Sequence, residues 1–327
     1  MTYRECYLFG CQELKEAGIA EYELDSRLLL EDICNSDYNT LILDGDRIVD
    51  EADRKRFEEA IGKRKTHIPL QHITGKQDFC GLTFQVNEYV LIPRQDTEIL
   101  VEEALAHLQP GMHILDMCTG SGCILISLLA LGKGKHVTGV GADLSEEALK
   151  VANHNAEVLL GAGKSVSDDG EAVFDTGEIL VCDTVTGKQV FPCAFRKSDL
   201  FSAFYSEEKS KKHNGYGGTS EQFDMIVSNP PYIATKEIDE LMPEVRIHEP
   251  LMALDGKEDG LFFYRRIVNE AWNFLKEGSY LLLEIGYDQG PAVSEMMRLN
   301  GYQDVNIKKD YAGLDRVVFG RKGKKNV

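Results

Sequence analysis

A chain of 327 residues, 43% hydrophobic and 28% charged, is long enough for one large or two ordinary globular domains. Its formal net charge of -18 argues against a general nucleic-acid binder, which presents a basic face. Eight cysteines without a C-x-x-C pair argue against a zinc or disulfide framework. With no early basic-then-apolar segment and no apolar run of membrane-spanning length, a cytoplasmic protein is expected.

Residues 1–73 read as a small helical bundle. "DSRLLLEDI" at 25–33 offers Asp25 or Ser26 as a helix cap, and residues 50–65 set Phe57, Ala60 and Ile61 at helical spacing among charges. This segment carries no metal-ligand spacing and no nucleophile with a base, so it is expected to pack or dock. Residues 74–92, with Phe79, Leu82, Phe84, Val86, Val90 and Ile92 around Gly81, predict a hairpin linker. "PRQDTEILVEEALAHL" then predicts a helix starting near Asp96 or Thr97, with Glu98 at its positive end.

From Gly111 onward strands alternate with helices. "HILDMC", "HVTGVGADL", a segment near 190–198, "FDMIVSN" and "SYLLLEIG" read as buried strands, separated by helical stretches. The last two strands, near 303–308 and 316–320, are joined by "KDYAGLD", too short for a parallel crossover. The expected fold class is therefore α/β: a doubly wound sheet over residues 93–327 with an antiparallel last hairpin. Residues 161–192 and 205–221 fit the alternation poorly and are expected to be surface insertions, the first with room for an extra hairpin in "EILVCDTVTGKQVF".

"ILDMCTGSGCI" puts Asp116 at a strand's carboxyl end, then Thr119, Gly120, Ser121 and Gly122 before a helix. Ligands bind at such ends, and a helix N-terminus favours an anionic group. The dinucleotide pattern fails, because position 118 is cysteine and the third glycine is missing. A carboxylate beside the turn suits an ammonium group better than a pyrophosphate. Asp143, about 20 residues further on, is placed to accept from ribose hydroxyls. Asp199 could accept from an adenine amino group, or equally be a surface charge, and Leu200 could pack on the base. Amino acid, ribose and adenine together describe S-adenosyl-L-methionine.

"SNPPY" at 228–232 ends a strand with two prolines, which cannot continue a ladder. An amide or exocyclic aromatic NH2 is a poor nucleophile because its lone pair is delocalised. The Asn229 side-chain oxygen and the Pro230 carbonyl can grip its two N–H bonds and aim the lone pair. Pro230 and Pro231 stiffen the backbone, and the Tyr232 ring offers a flat contact surface. The chemistry is compatible with a glutamine amide or an adenine, and a catalytically dead cofactor binder is a third reading.

At this point the sequence resembles the release-factor glutamine N5-methyltransferases, the HemK-type class I S-adenosylmethionine-dependent enzymes. The likeness covers nearly the whole chain. It rests on residues 69–98 ending in "VLIPRQDTE", on "ILDMCTGSGCI", "SDLF" and "NPPYI", on "HEPLMALDGKEDGL" at 248–261, and on "LLLEIGYDQG" and "KDYAGLDRVVFGR". The resemblance implies a seven-stranded methyltransferase domain that modifies the glutamine of a Gly-Gly-Gln loop in peptide chain release factors. It also implies an N-terminal helical domain that helps bind them. Neither a membrane nor a nucleic acid is an expected partner. By motif position, residues 118–122, Asp143, Leu200 and Asn229 should line the cofactor site. Residues 229–232 should hold the glutamine, with Arg94 and Glu98 close by. Three departures stand out: Leu200 stands where some relatives carry an aromatic residue, Lys257 falls in a segment often read "DGGEDGL", and the segments at 161–192 and 205–221 exceed the usual pattern.

Overall fold

A computed structural model describes residues 1–160, 193–205 and 221–323. The expected insertions at 161–192 and 205–221 lie outside the described residues, save Tyr205 and Glu221. The chain divides into two compact units. One comprises Met1–Lys76 with Val86–Glu88 and Glu240–Glu249; the other comprises Gln77–Gln85, Tyr89–Asp239 and Pro250–Val327.

In the first unit α1 (Tyr3–Glu16), α2 (Tyr22–Cys34), α3 (Tyr38–Leu43), α4 (Glu51–Arg64) and α5 (Leu70–Thr74) surround a core that includes Leu14, Leu29, Leu30, Phe57 and Ile61. Thr2 and Glu5 form a reciprocal capping box at α1, and Asp50 caps α4. Asp25 and Ser26 do not cap a helix, contrary to expectation. Helix α2 begins a turn earlier, and both residues are buried within it. Ser26 donates to the Tyr7 carbonyl (2.9 Å), and Asp25 pairs with the buried Arg64 at 2.7 Å. Their polar groups serve packing between helices, a partnership that local patterning does not encode.

The second unit opens, from Gln77, with the hairpin of β1 (Lys76–Phe79) and β2 (Leu82–Gln85), turned at Cys80 and Gly81. Phe79 and Phe84 meet edge to face at 6.0 Å inside this unit's core. There follow α6 (Glu98–His107), β3 (His113–Met117), α7 (Cys123–Leu131), β4 (Thr138–Asp143), α8 (Glu146–Leu159), β5 (Cys193–Lys197) and β6 (Phe223–Ser228). After α9 (Pro243–His248), which belongs to the first unit, come α10 (Leu251–Leu254), α11 (Phe262–Phe274), β7 (Leu275–Glu284), α12 (Gly290–Leu299), β8 (Tyr302–Lys309) and β9 (Asp315–Lys322).

Among the described residues seven strands form one sheet in the order β5-β4-β3-β6-β7-β9-β8. The pairings are parallel up to β7, and β9 is antiparallel to both neighbours, as the short connection requires. Alternate residues of the central strands enter two separate cores. Leu115, Ile226, Leu281 and Leu283 face one, and Ile114, Met225, Val227 and Leu282 face the other. A sheet buried on both faces explains the near-continuous apolar strands. The order reverses between β3 and β6, whose ends align Met117 with Ser228. That switch point opens a crevice at the carboxyl edge. Among the described residues no helix is long and apolar enough to cross a membrane.

Candidate active site

A cavity of about 360 Å³ occupies this crevice, within the size range of small-ligand sites. The turn after β3 lines it with Cys118, Thr119, Gly120 and Ser121. Cys118 and Gly120 have φ of 62° and 54°, so Cys118 adopts a backbone that glycine would adopt more easily. Burial pushes its thiol well up, leaving it neutral. Asn155 braces the turn from α8 by donating to the Ser121 carbonyl (3.0 Å), while its amide pairs both ways with the Gln85 backbone. The Ser121 hydroxyl is buried without a hydrogen-bond partner among the described residues, so the turn retains a polar group for a ligand.

Asp143 lines the cavity from the end of β4. Its two oxygens accept from Gly120 N–H and Ser145 N–H, both at 2.9 Å. Burial raises its pKa, against these hydrogen bonds. Leu200 lines the cavity in a left-handed conformation (φ 46°) and is almost fully buried. Asp199 also lines it, but its carboxylate is exposed and pairs with Arg266 at 2.9 Å. That pairing reduces its availability to an adenine amino group.

Asp116 departs from expectation. It is fully buried and does not line the cavity. One oxygen accepts from the Thr119 hydroxyl (2.6 Å) and from Leu125 N–H (3.3 Å). Burial raises its pKa to about 7. Its Oδ2 therefore ties the turn to the start of α7, while its buried Oδ1 has no hydrogen-bond partner among the described residues. Gly122 likewise stays outside the lining and ends the turn at φ 80°.

Asn229 and Pro231 line the cavity, whereas Pro230 and Tyr232 do not. Tyr232 packs against the core, and burial pushes its pKa to about 12. Its backbone is gripped from behind. A Cβ on Gly256 would stand 2.8 Å from the Tyr232 backbone, and one on Gly260 would stand 2.3 Å from its carbonyl oxygen. Ile233 donates to Leu254 and accepts from Gly256. The glycines of "LDGKEDGL" are thus the close-approach points for the segment that follows Asn229. Lys257 sits between them at φ 70°, a reason for glycine at this position in the related pattern.

Arg94 lines the cavity, but Glu98 does not. Glu98 accepts from Cys80 N–H at 2.7 Å and so secures the hairpin turn. The neighbour that reaches the site is Thr97, read from sequence only as a helix start. It is the N-cap of α6 yet makes no side-chain cap bond. Its hydroxyl instead accepts from the Asn229 side-chain nitrogen at 3.2 Å. Tyr89, Val90 and Leu91, assigned to the linker by sequence, also line the cavity. Phe262, Phe263 and Arg266 line it from α11, where they read as ordinary positions of an amphipathic helix.

An open, doubly wound sheet with an antiparallel last hairpin, a glycine turn and an acidic second strand define the methyltransferase class. Residues 5–75 match the family described as the PrmC N-terminal domain. The release factor glutamine methyltransferase of Clostridium acetobutylicum is 33% identical over 99% of this chain and 99% of its own. Those of Caulobacter vibrioides (35% identical; 98% and 97% of the two chains) and Geobacter sulfurreducens (34%; 95% and 93%) are similarly matched. The chain belongs to the release factor glutamine methyltransferase family.

Proposed function

We propose that the chain is a protein-(glutamine-N5) methyltransferase. It moves a methyl group from S-adenosyl-L-methionine to the side-chain amide of the glutamine in the Gly-Gly-Gln loop of peptide chain release factors, leaving S-adenosyl-L-homocysteine. The observation that carries this reading is that Asn229 and Pro231 open onto the same cavity as Asp143 and the turn at 118–121. The names of the relatives support glutamine over adenine.

The cofactor supplies an electrophilic methyl group on a sulfonium sulfur. Asp143 suits its ribose, and the turn with the Ser121 hydroxyl suits its amino-acid end. Leu200 suits the base. The Asn229 oxygen and the Pro230 carbonyl hold the two N–H bonds of the glutamine amide and turn its lone pair toward the methyl carbon. Pro231 and Tyr232 keep that backbone stiff, and Arg94 stands where the substrate loop enters. Nitrogen loses its proton to water after transfer, so the site needs no dedicated base. Residues 1–73 serve as the docking domain for the release factor, 74–92 as the hairpin linker and 93–327 as the catalytic domain. Such a substrate places the protein in the cytoplasm.

Incubation with a release factor and methyl-labelled cofactor tests the proposal. The label is expected on the glutamine, with turnover reduced about 100-fold or more in Asn229→Ala. Label on nucleic acid instead of protein, or cofactor binding without turnover, would overturn it.

A further inference from the structure

Glu284 ends β7 one residue beyond Leu283, which pairs with Ser228. Its level in the sheet is therefore that of Asn229 on the adjacent strand. The side chain is 1% exposed, and its Oε2 has no hydrogen-bond partner among the described residues. Thr97 and Asn229 are neighbours polar enough to lower its pKa, and both also line the cavity. A carboxylate buried this deeply is costly, and the mechanism above does not use it.

An asparagine amide presents an oxygen and an NH2 group of nearly the same shape, and only its neighbours decide which one faces a ligand. Here the Asn229 nitrogen donates to the Thr97 hydroxyl oxygen at 3.2 Å. That hydroxyl, having accepted, can pass its own hydrogen to Glu284. An ionised carboxylate only accepts. Rotating the Asn229 amide by half a turn would set its oxygen against the Glu284 carboxylate, two acceptors with no proton between them. With Glu284 ionised, the inner side of the site thus admits the amide nitrogen and rejects the amide oxygen.

We propose that Thr97 and Glu284 are positioning residues that hold the Asn229 side chain with its nitrogen inward and its oxygen toward the cavity, ready to accept from a substrate N–H. This rests on the role given to Asn229 above. Neither residue need touch the reacting atoms; they act by removing the unproductive rotamer from the population. They also account for two segments that sequence marks only by resemblance, "PRQDTE" and "LLLEIG".

The test compares Thr97→Val, Thr97→Ser, Glu284→Gln and Asn229→Ala in the full chain. It measures kcat and KM with a release factor, S-adenosyl-L-homocysteine affinity by calorimetry, and thermal midpoint. Valine keeps the shape of threonine without its hydroxyl. Thr97→Val is expected to lower kcat about 10- to 100-fold, with the product affinity, KM and thermal midpoint near those of the parent. Thr97→Ser is expected to recover most of the lost rate. Glu284→Gln, which can donate as well as accept, is expected to lower kcat about tenfold. Parental kcat in both Thr97→Val and Glu284→Gln, with Asn229→Ala inactive, would overturn the positioning role and leave the reading of Asn229 intact. Full activity of Asn229→Ala would instead overturn that underlying reading.

Discussion

Gln289 holds the carbonyl of Tyr232, donating to it through its side-chain nitrogen at 3.0 Å. The same nitrogen reaches the Gly260 carbonyl (3.3 Å), and the side-chain oxygen accepts from Gly286 N–H (3.0 Å). One side chain at the start of α12 thus ties three loop segments together at the carboxyl edge. Gln289→Leu removes these bonds and leaves their partners unpaired. A stability loss of about 2 kcal/mol is expected in urea denaturation. Turnover should fall more than product affinity, because Gln289 does not line the cavity.

Close approach at Gly260 is a second constraint on the same segment. A Cβ there would meet the Tyr232 carbonyl oxygen at 2.3 Å, in a backbone with φ 72°. Gly260→Ala should cost about 3 kcal/mol or more, since backbone must move. Gly313 offers the control, with φ 82° and open space where a methyl group would stand. Gly313→Ala should cost about 1–2 kcal/mol, the conformational penalty alone. Equal losses in denaturation experiments would remove the steric explanation.

Asp143 accepts from two backbone N–H groups at once. An amide in its place must turn its NH2 group toward one of those donors. Asp143→Asn is therefore expected to loosen the turn at Gly120 and to weaken S-adenosyl-L-homocysteine binding about tenfold or more, read by calorimetry. Unchanged affinity would show that this carboxylate does not serve the cofactor.

Burial raises the Glu284 pKa from 4.5 to about 7, against the lowering effects of Thr97, Arg316 and Asn229. Asp96 adds to the rise, while Tyr232, Tyr264 and Cys123 also face the group. Between these two pH values the folded chain keeps a proton that the unfolded chain has released. Stability attributable to this residue therefore falls as pH rises through the window, by about 3 kcal/mol in all. Glu284→Gln should be more stable than the parent at pH 8 and should lose that advantage near pH 4. The parental kcat should rise with pH through about 7, as the carboxylate forms, and the variant should lack that rise. A variant with the parental pH–rate profile would separate Glu284 from the chemistry.

The sheet was legible because its signals are local. Apolar runs end at turns, the glycine turn follows β3, and the short connection between the last two strands forbids a crossover. The double proline after Asn229 announced a stiffened strand exit for the same reason. Misreadings arose where a polar residue had two plausible tasks. Asp25 and Ser26 look like caps and Glu98 like a site residue, yet each is engaged within the protein, and Asp116 spends one of its two oxygens on the turn.

Sequence by itself determined the order of elements, the family and the residue types that a methyl-transfer site requires. Only the tertiary structure decided which side chains support them. Thr97 meets Asn229 across 132 positions, Asn155 meets Gln85 across 70 and Gln289 meets Tyr232 across 57. Periodicity and turn chemistry report on neighbours within a few residues, whereas these partnerships exist only because the tertiary fold brings distant segments together: strand and helix ends at the carboxyl edge for Thr97–Asn229 and Gln289–Tyr232, and the hairpin packed on α8 for Asn155–Gln85.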